Sequence, residues 1–152
     1  MRRDLAWPVQ NSRPVEAAHP DGSEITIDVE RRRLLLSFRG LLTGEAMISQ
    51  LHREEPVYSQ YPSFDRLNDL SEADMGGVTP EALRLLQEAV RRVDLRVGFS
   101  GRVAIVAPTD LAFGLTRMFQ LGGDTRESPQ RVFRSAEEAH RWLDGTFGAP
   151  EA

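Results

Sequence analysis

Residues 102–111 read RVAIVAPTDL and carry the two signals that decide the fold class. Val103–Val106 is an uninterrupted apolar run, which is typical of a strand buried on both faces. Pro108 ends that run, and Thr109 and Asp110 then supply the cap and the first-turn acid of a helix that we expect to reach Leu121. A buried strand that leads directly into a helix is a building unit of α/β domains.

The same alternation extends from this segment towards both ends of the chain. Ile25, Ile27 and Val29 alternate with polar residues, residues 34–38 are mostly apolar, and the short Glu30–Arg33 connection predicts a β-hairpin. Further strands are predicted at 64–70, 102–107 and 131–134, and further helices are predicted to begin at Thr43, Thr79 and Ser135. The order β-β-α-β-α-β-α-β-α predicts an α/β fold in which helices cover a mixed sheet.

Three connections also have recognisable patterns. The consecutive arginines Arg31–Arg33 are expected to form a solvated turn, with an anion-binding patch as the alternative. Residues 56–62 hold two prolines and two tyrosines and predict a loop after the first helix. Gly98 and Gly101 indicate a mobile loop over residues 94–101.

The chain is expected to form one domain with a short extension at each end. Residues 1–22 contain three prolines and few apolar residues, which predicts a flexible N-terminal arm. The predicted domain spans residues 23–147, and residues 148–152 form a C-terminal tail. Trp7 is the one large aromatic residue of the arm, and we expect it to be incidental or to dock on the domain, with a partner contact as the alternative.

The composition excludes several classes of protein. The chain has 152 residues, of which 40% are hydrophobic and 28% charged, as in a globular domain. It has no cysteine, and its three histidines lie far apart, so we predict neither a metal site nor a cofactor. The net charge of −4 argues against a nucleic-acid partner. Without a signal peptide or a long apolar run, a cytoplasmic location is expected, with peripheral membrane attachment left open.

Three stretches together resemble the SpoIIAA-like branch of the STAS superfamily. They are LLSFRGLLTGE at 35–45, FDRLNDLSEAD at 64–74, and residues 102–143, which hold the Ala-Pro-Thr-Asp corner and a final helix with Trp-Leu. The resemblance covers about residues 24–143. It implies a small α/β domain with helices packed on a mixed sheet, as in small bacterial proteins that are mostly uncharacterised. Some of these have been suggested to associate with membranes or to carry lipophilic ligands.

The better-known relatives in this superfamily are anti-sigma-factor antagonists. They are switched by phosphorylation of a serine in an Asp-Ser-Ser-Gly turn before the second helix. Residues 74–80 read DMGGVTP here, so that motif is missing. Thr79 lies near the switch position, but a threonine before Pro-Glu is first of all a helix cap. The departure counts against a phosphorylation switch at Thr79.

No catalytic motif is found in the sequence. There is no nucleophile elbow, no Walker loop and no dinucleotide-binding glycine pattern. Asp69, Glu72 and Asp74 form an acidic cluster that could act in acid–base chemistry or hold a cation, but a solvated loop before a helix explains it equally well. We therefore expect a protein that is not an enzyme.

The best candidate for a ligand site lies where two strands end. Ligands of open α/β sheets bind outside the carboxyl ends of the strands. Asp69 and Ser71 lie at the carboxyl end of one predicted strand, and Thr109 and Asp110 follow another. If these strands are neighbours, the four residues surround one concavity.

The helix after Thr109 adds two residues to this candidate site. One apolar arc of its helical wheel is expected to face the core: Leu111, Ala112, Leu115, Met118 and Phe119. Phe113 lies on the opposite side and needs a partner, which could be a neighbouring loop, a second subunit, or a lipophilic ligand or membrane. Arg117 beside it could pair with an anionic head group or with an acid of a loop.

Two functions from different classes remain open at this point. The first is a non-enzymatic domain that binds a lipophilic or anionic small molecule or associates reversibly with a membrane. The alternative is a regulatory protein–protein module that resembles the anti-sigma-factor antagonists. The missing phosphorylatable serine favours the first, and a homodimer is compatible with either.

Overall fold

A computed structural model describes residues 12–14, 23–123 and 129–146. Within these residues lie six strands and four helices. The strands are β1 (Ser12–Pro14), β2 (Glu24–Asp28), β3 (Arg33–Leu41), β4 (Asp65–Asp74), β5 (Val103–Val106) and β6 (Gln130–Phe133). The helices are α1 (Gly44–Gln60), α2 (Pro80–Val97), α3 (Asp110–Gly123) and α4 (Ala136–Asp144).

The strands form one mixed sheet in the order β1-β2-β3-β4-β5-β6. β1, β2 and β3 are antiparallel neighbours, whereas β3, β4, β5 and β6 run parallel to one another. The predicted fold class and the predicted order of elements from the hairpin onwards are therefore confirmed. Each parallel connection is made by one helix, as a parallel sheet requires.

One strand was not predicted from the sequence. β1 lies inside the segment 1–22 that was expected to be an arm, and its Ser12 pairs with Asp28 of β2. Ser-Arg-Pro shows no alternation of apolar and polar residues, so the sequence pattern does not indicate this edge strand. The other arm residues, including Trp7, and the tail at 148–152 lie outside the described residues.

The predicted hairpin between β2 and β3 is confirmed, with Asp28 paired to Arg33. Its turn places Arg32 in the left-handed region at φ 58°, and the Arg32 N–H donates to the Val29 carbonyl at 3.2 Å. Arg31 and Arg32 are exposed, as expected of a solvated turn. The same prediction is wrong for Arg33, which is only 3% exposed and reaches the last helix.

The predicted helix caps are confirmed by their hydrogen bonds. The Thr43 hydroxyl accepts from the Ala46 N–H at 3.1 Å, and the Thr79 hydroxyl accepts from the Ala82 N–H at 3.0 Å. Ser135 accepts in the same way from the third residue of α4 at 3.2 Å. These side chains satisfy backbone donors that would otherwise have no partner at the start of a helix.

The loop predicted over 56–62 is wrong for its first five residues, because α1 continues through Pro56 to Gln60. A proline inside a helix costs about 3 kcal/mol through the lost hydrogen bond and the steric clash. Val57 and Tyr58 are both buried, and each contributes roughly 1.5–3 kcal/mol by leaving water. Tertiary burial on the next turn therefore outweighs the local preference of the proline.

The segment after α2 is packed and not the open loop that its glycines suggested. The predicted loop is wrong for residues 94–97, which form the last turn of α2, and Gly98 caps this helix in the left-handed conformation. Phe99 is buried, and the Ser100 N–H donates to the Pro62 carbonyl at 2.9 Å. Gly101 is also buried, because the chain crosses directly over the start of β4 at this point.

The sheet is covered unequally on its two faces. One face packs against α1, α2 and α3 through two clusters of buried residues that include Leu36, Leu70 and Ile105. The other face packs against α4 through Val106 and Phe133. The prediction that Ala139, Trp142 and Leu143 face inward is confirmed for the first and the last, and Trp142 lies half-buried against the Phe133 ring at 5.6 Å.

A buried polar cluster joins the hairpin to α4. Arg33 donates to His140 Nδ1 at 2.8 Å and pairs with Asp144. The pKa of His140 is lowered to about 4, because burial disfavours the charged imidazolium and because Arg33 and Arg31 lie close to it. The neutral imidazole is the form that accepts from Arg33, so protonation removes this contact.

We expect the stability of the domain to fall as the pH is lowered from about 6.5 to about 4 through His140. The unfolded chain binds the proton near the ordinary value and the folded chain does not, so acid favours unfolding between these two values. The measurement is the melting temperature from neutral to acidic pH for the native protein and for His140→Gln, which cannot take up the proton. Equal pH slopes in the two proteins would contradict this prediction.

Candidate functional site

The structure brings the two predicted strand ends to the same edge of the sheet. β4 and β5 are parallel neighbours, and Asp69 pairs in register with Val106, the last residue of β5. However, β4 does not end at Ser71 as predicted. It continues to Asp74 because it follows β3, whose Leu41 is paired with Asp74.

The predicted site residues at this edge have local structural roles. Asp69 accepts hydrogen bonds from the backbone N–H of Ser71 at 2.9 Å and from its hydroxyl. The Thr109 hydroxyl accepts from the Ala112 N–H at 3.1 Å, which makes it a helix cap, as predicted. Asp110 is exposed and pairs with Arg134 at 2.9 Å. Within the described part of the chain, no hydrogen bond or ion pair joins the Asp69–Ser71 pair to Thr109 or Asp110.

The wheel prediction for α3 is confirmed for Ala112, Leu115 and Phe119, which are buried or pack against the core. It is wrong for two residues at one side of the arc, because the buried side of the helix is rotated away from them towards Thr116. Leu111 and Met118, expected in the core, are 53% and 49% exposed. The buried side is centred on Ala112 and Thr116 instead. Thr116 tolerates this position because its hydroxyl donates to the Ala112 carbonyl at 2.8 Å, so no polar group is left without a partner.

This rotation also changes the interpretation of Phe113. Phe113 is a half-buried residue of α3 that packs against the hydrophobic core. The Arg134 guanidinium lies 4.3 Å from the centroid of its ring. Its partner is therefore a neighbouring loop, the first of the alternatives considered. Arg117 is exposed one helical turn further along. The contacts of Phe113 explain an aromatic residue there without a ligand.

A cavity of about 120 Å³ lies elsewhere, between the sheet and the three helices α1, α2 and α3. Its walls are mostly apolar, with Leu51 from α1, Val90 from α2, Phe119 from α3, and Leu36 and Ile105 from the sheet. Cores are packed to nearly crystalline density and hold few voids larger than a water molecule. This cavity is partly open to solvent, so it is a pocket and not an enclosed void of the core.

Arg66 is the most unusual residue in the cavity wall. It is the second residue of β4 and is only 5% exposed. Its guanidinium is stacked between the rings of Tyr58 at 4.0 Å and Phe99 at 3.7 Å, and its Nη1 donates to Asp94 at 2.8 Å. Its Nε and Nη2 are buried without a hydrogen-bond partner among the described residues.

Polar side chains of α1 surround this arginine. Gln50, 3% exposed, lies in the cavity wall, and its Nε2 has no hydrogen-bond partner in the part of the chain described. Glu54 is 2% exposed. Burial raises the pKa of the Tyr58 hydroxyl. The positive charge of Arg66 lowers this pKa, whereas the negative charges of Glu54 and Asp94 raise it further. These three charges therefore all lie near Tyr58.

Sequence reasoning missed this site, although two signals were present. Arg66 and Asn68 occupy the strand positions that alternate with Leu67 and should have been assigned to a buried face. Gln50 and Glu54 interrupt the apolar side of α1 between Met47 and Tyr58. Polar residues at inward-facing positions are the informative exceptions in a core.

The described residues also limit what chemistry the domain can support. They contain no group of three or more histidine, aspartate or glutamate side chains that could hold a metal ion. None of their helices is both long and apolar enough to cross a bilayer.

Comparison with known proteins gives similarity at the level of solved structures. No family model and no curated protein matches the chain. The chain is similar to an uncharacterised protein of the DUF3478 family from Shewanella loihica PV-4, with 23% identity and a TM-score of 0.48 over 73% of this chain and 83% of that chain. A second match, to the protein Mglu, has 21% identity and a TM-score of 0.33 over 47% of this chain and 17% of that chain. The Shewanella protein has a SpoIIAA-like fold, which is the fold that the sequence resemblance implied.

Proposed function

We propose that this protein is a non-catalytic binding protein that takes up a small lipophilic molecule in the cavity between the sheet and α1, α2 and α3. The observation that carries the proposal is the cavity itself, about 120 Å³ with mostly apolar walls and with buried donors of Gln50 and Arg66 that lack a partner in the described residues. Binding pockets commonly combine an apolar lining with a few polar groups that orient the ligand.

The cavity volume sets the size of the molecule that fits. An engineered apolar cavity of about 150 Å³ in another protein stays dry and binds benzene. At about 120 Å³, the cavity here suits a body of about one small ring. A larger lipophilic molecule would need side chains of the helices to move apart.

Catalysis is not part of this proposal. The buried His140 belongs to α4, on the other face of the sheet, where it accepts from Arg33. His52 is exposed on α1 and does not line the cavity. The ionisable groups in the cavity wall are Arg66, its partner Asp94 and the Tyr58 hydroxyl, whose pKa is raised by burial. These groups suit orientation of a ligand more than proton transfer at neutral pH.

Benzene tests the proposal directly. At about ten times its dissociation constant, it should stabilise the native protein by about 1.4 kcal/mol and raise the melting temperature by about 3–6 °C. Val90→Phe fills the cavity and should abolish this shift. Val29→Phe makes the same change on the exposed hairpin turn and should retain it.

The comparison of Val90→Phe with Val29→Phe also gives the result that would contradict the proposal. A benzene shift that is equal in the Val90→Phe and Val29→Phe proteins would place binding outside the cavity. The absence of any shift in the native protein would show that the cavity does not open to ligands of this size. Native mass spectrometry of freshly purified native protein, followed by solvent extraction, would show whether a molecule co-purifies and is lost in Val90→Phe.

A further inference from the structure

The polar group of the ligand can be inferred from the donors in the cavity wall. Three nitrogen atoms of wall residues lack a hydrogen-bond partner in the described residues: Gln50 Nε2, Arg66 Nε and Arg66 Nη2. Both residues are less than a tenth exposed. A buried donor without an acceptor destabilises the folded state, and more so when the donor is charged. A ligand with an oxygen acceptor could therefore form hydrogen bonds with these donors, whereas a purely hydrocarbon ligand could not.

The environment of Arg66 leaves one direction for this acceptor. Aromatic rings of Tyr58 and Phe99 cover the two faces of the guanidinium, and Nη1 is engaged with Asp94. Nε and Nη2 lie on the remaining edge, where their N–H groups are parallel neighbours. An oxygen atom of the ligand that approaches this edge can accept from one or both of them.

The charges near this edge distinguish a neutral acceptor from an anion. The positive charge of Arg66 is already balanced by Asp94 at 2.8 Å. The buried carboxylate of Glu54 also acts on the neighbouring Tyr58. A carboxylate on the ligand would add a further negative charge in a place shielded from water, and uncompensated buried charge is strongly unfavourable. A ketone, ester or amide oxygen supplies the acceptor without that cost.

We propose that the cavity selects an uncharged, ring-sized apolar molecule with a carbonyl oxygen, which accepts hydrogen bonds from Arg66 and Gln50. This inference rests on the proposed function and adds the ligand's polar group to it. The sequence left two ligand types open, a lipophilic molecule and an anionic molecule, and this inference favours the lipophilic one.

Three probes of similar size test the inference. Cyclohexanone carries the carbonyl oxygen, methylenecyclohexane replaces that oxygen with a carbon, and cyclohexanecarboxylate carries a negative charge. Dissociation constants would be measured by ligand-observed NMR titration at neutral pH. Because the hydrocarbon is intrinsically more hydrophobic, the informative quantity is the ratio of its dissociation constant to that of cyclohexanone, compared between proteins.

Substitutions of the donors should change this ratio. Arg66→Met should lower the ratio at least tenfold, because it removes hydrogen bonds from a charged donor, and the nearly isosteric Gln50→Met should lower it about threefold. Arg32→Met makes the first change on the exposed turn and should leave the ratio as in the native protein. If Arg66→Met does not fold, Gln50→Met decides the result. Cyclohexanecarboxylate should bind the native protein at least tenfold more weakly than cyclohexanone.

The outcomes separate this inference from the proposed function. If methylenecyclohexane and cyclohexanone bind with the same ratio in the native and Gln50→Met proteins, the cavity binds ligands but Gln50 and Arg66 do not select a carbonyl, and the inference is overturned. Tighter binding of cyclohexanecarboxylate than of cyclohexanone would overturn it in favour of an anion site. If none of the three probes binds the native protein, the proposed function fails and the inference fails with it.

Discussion

Gly101→Ala is expected to lower the melting temperature by about 6–12 °C, which corresponds to a loss of roughly 3 kcal/mol of stability. A Cβ atom at this position would lie 2.4 Å from the Phe64 carbonyl oxygen and 3.1 Å from the Asp65 backbone nitrogen. Both are main-chain atoms at the start of β4, so neither can rotate away as a side chain would. Relief of the clash requires the α2–β5 connection to separate from the sheet.

Gly114→Ala is the matched control for this change. A Cβ at Gly114 would meet nothing within 4 Å, and the residue lies inside α3. Alanine in a helix interior is favoured over glycine by about 0.5–1 kcal/mol, so this variant should be as stable as the native protein or more stable. The two melting temperatures are measured side by side by circular dichroism. If Gly101→Ala melts together with Gly114→Ala, the close approach at Gly101 does not exist in solution.

Asp94→Ala should cost about 3–5 kcal/mol, because it leaves the buried guanidinium of Arg66 without its partner. The Arg66 side chain is 6% exposed and is held between two aromatic rings, so water cannot replace the lost carboxylate. Asp94→Asn retains an oxygen acceptor and should lose less. Chemical denaturation of the three proteins gives the free energies of unfolding directly.

The matched control is the ion pair between Glu55 and Arg96, which also joins an acid to an arginine. Arg96 donates to both oxygens of Glu55 at 2.9 Å, but its side chain is 52% exposed. An exposed pair contributes little to stability because water screens both charges, so Glu55→Ala should be nearly neutral. Similar losses in Glu55→Ala and Asp94→Ala would show that the Arg66–Asp94 pair is hydrated, and would contradict the buried position that the proposed ligand site depends on.

Local sequence patterns predicted the fold well where local energetics decide the structure. Thr43, Thr79 and Ser135 were recognised as helix caps because the cap bond is made within three residues of the chain. The hairpin was predicted from the alternation in β2 and its short connection to β3. Such signals depend on neighbouring residues, so no knowledge of the tertiary structure was needed.

The predictions failed where distant contacts outweigh local preferences. Pro56 indicated a loop, yet burial of Val57 and Tyr58 keeps α1 helical beyond it. The wheel for α3 counted apolar residues and placed Met118 in the core, whereas the packing of α3 against the sheet puts Thr116 there. A helical wheel gives the angles between side chains, but it does not give the direction in which the core lies.

At the candidate site, too, the local features were predicted from the sequence and the distant contacts were not. The sequence identified the edge of the sheet where β4 and β5 end, and the structure confirms that these strands are neighbours. It also predicted that Thr109 caps α3, but it could not show that Asp110 pairs with Arg134, since that contact spans 24 positions of the chain. These contacts give Thr109 and Asp110 structural roles, and ligand binding at this edge stays a prediction.

The sequence by itself determined the α/β class, the order of the elements after the arm and the capped starts of the helices, because periodicity and caps act over a few residues. Only the tertiary structure decided which polar residues are buried. Arg66 is placed in the core by Tyr58, Phe99 and Asp94, which are separated from it in sequence and reach it through packing of α1 and α2 on the sheet. The cavity is likewise a property of how three helices meet one sheet face, since a void is created by the shapes of surfaces that no local pattern contains.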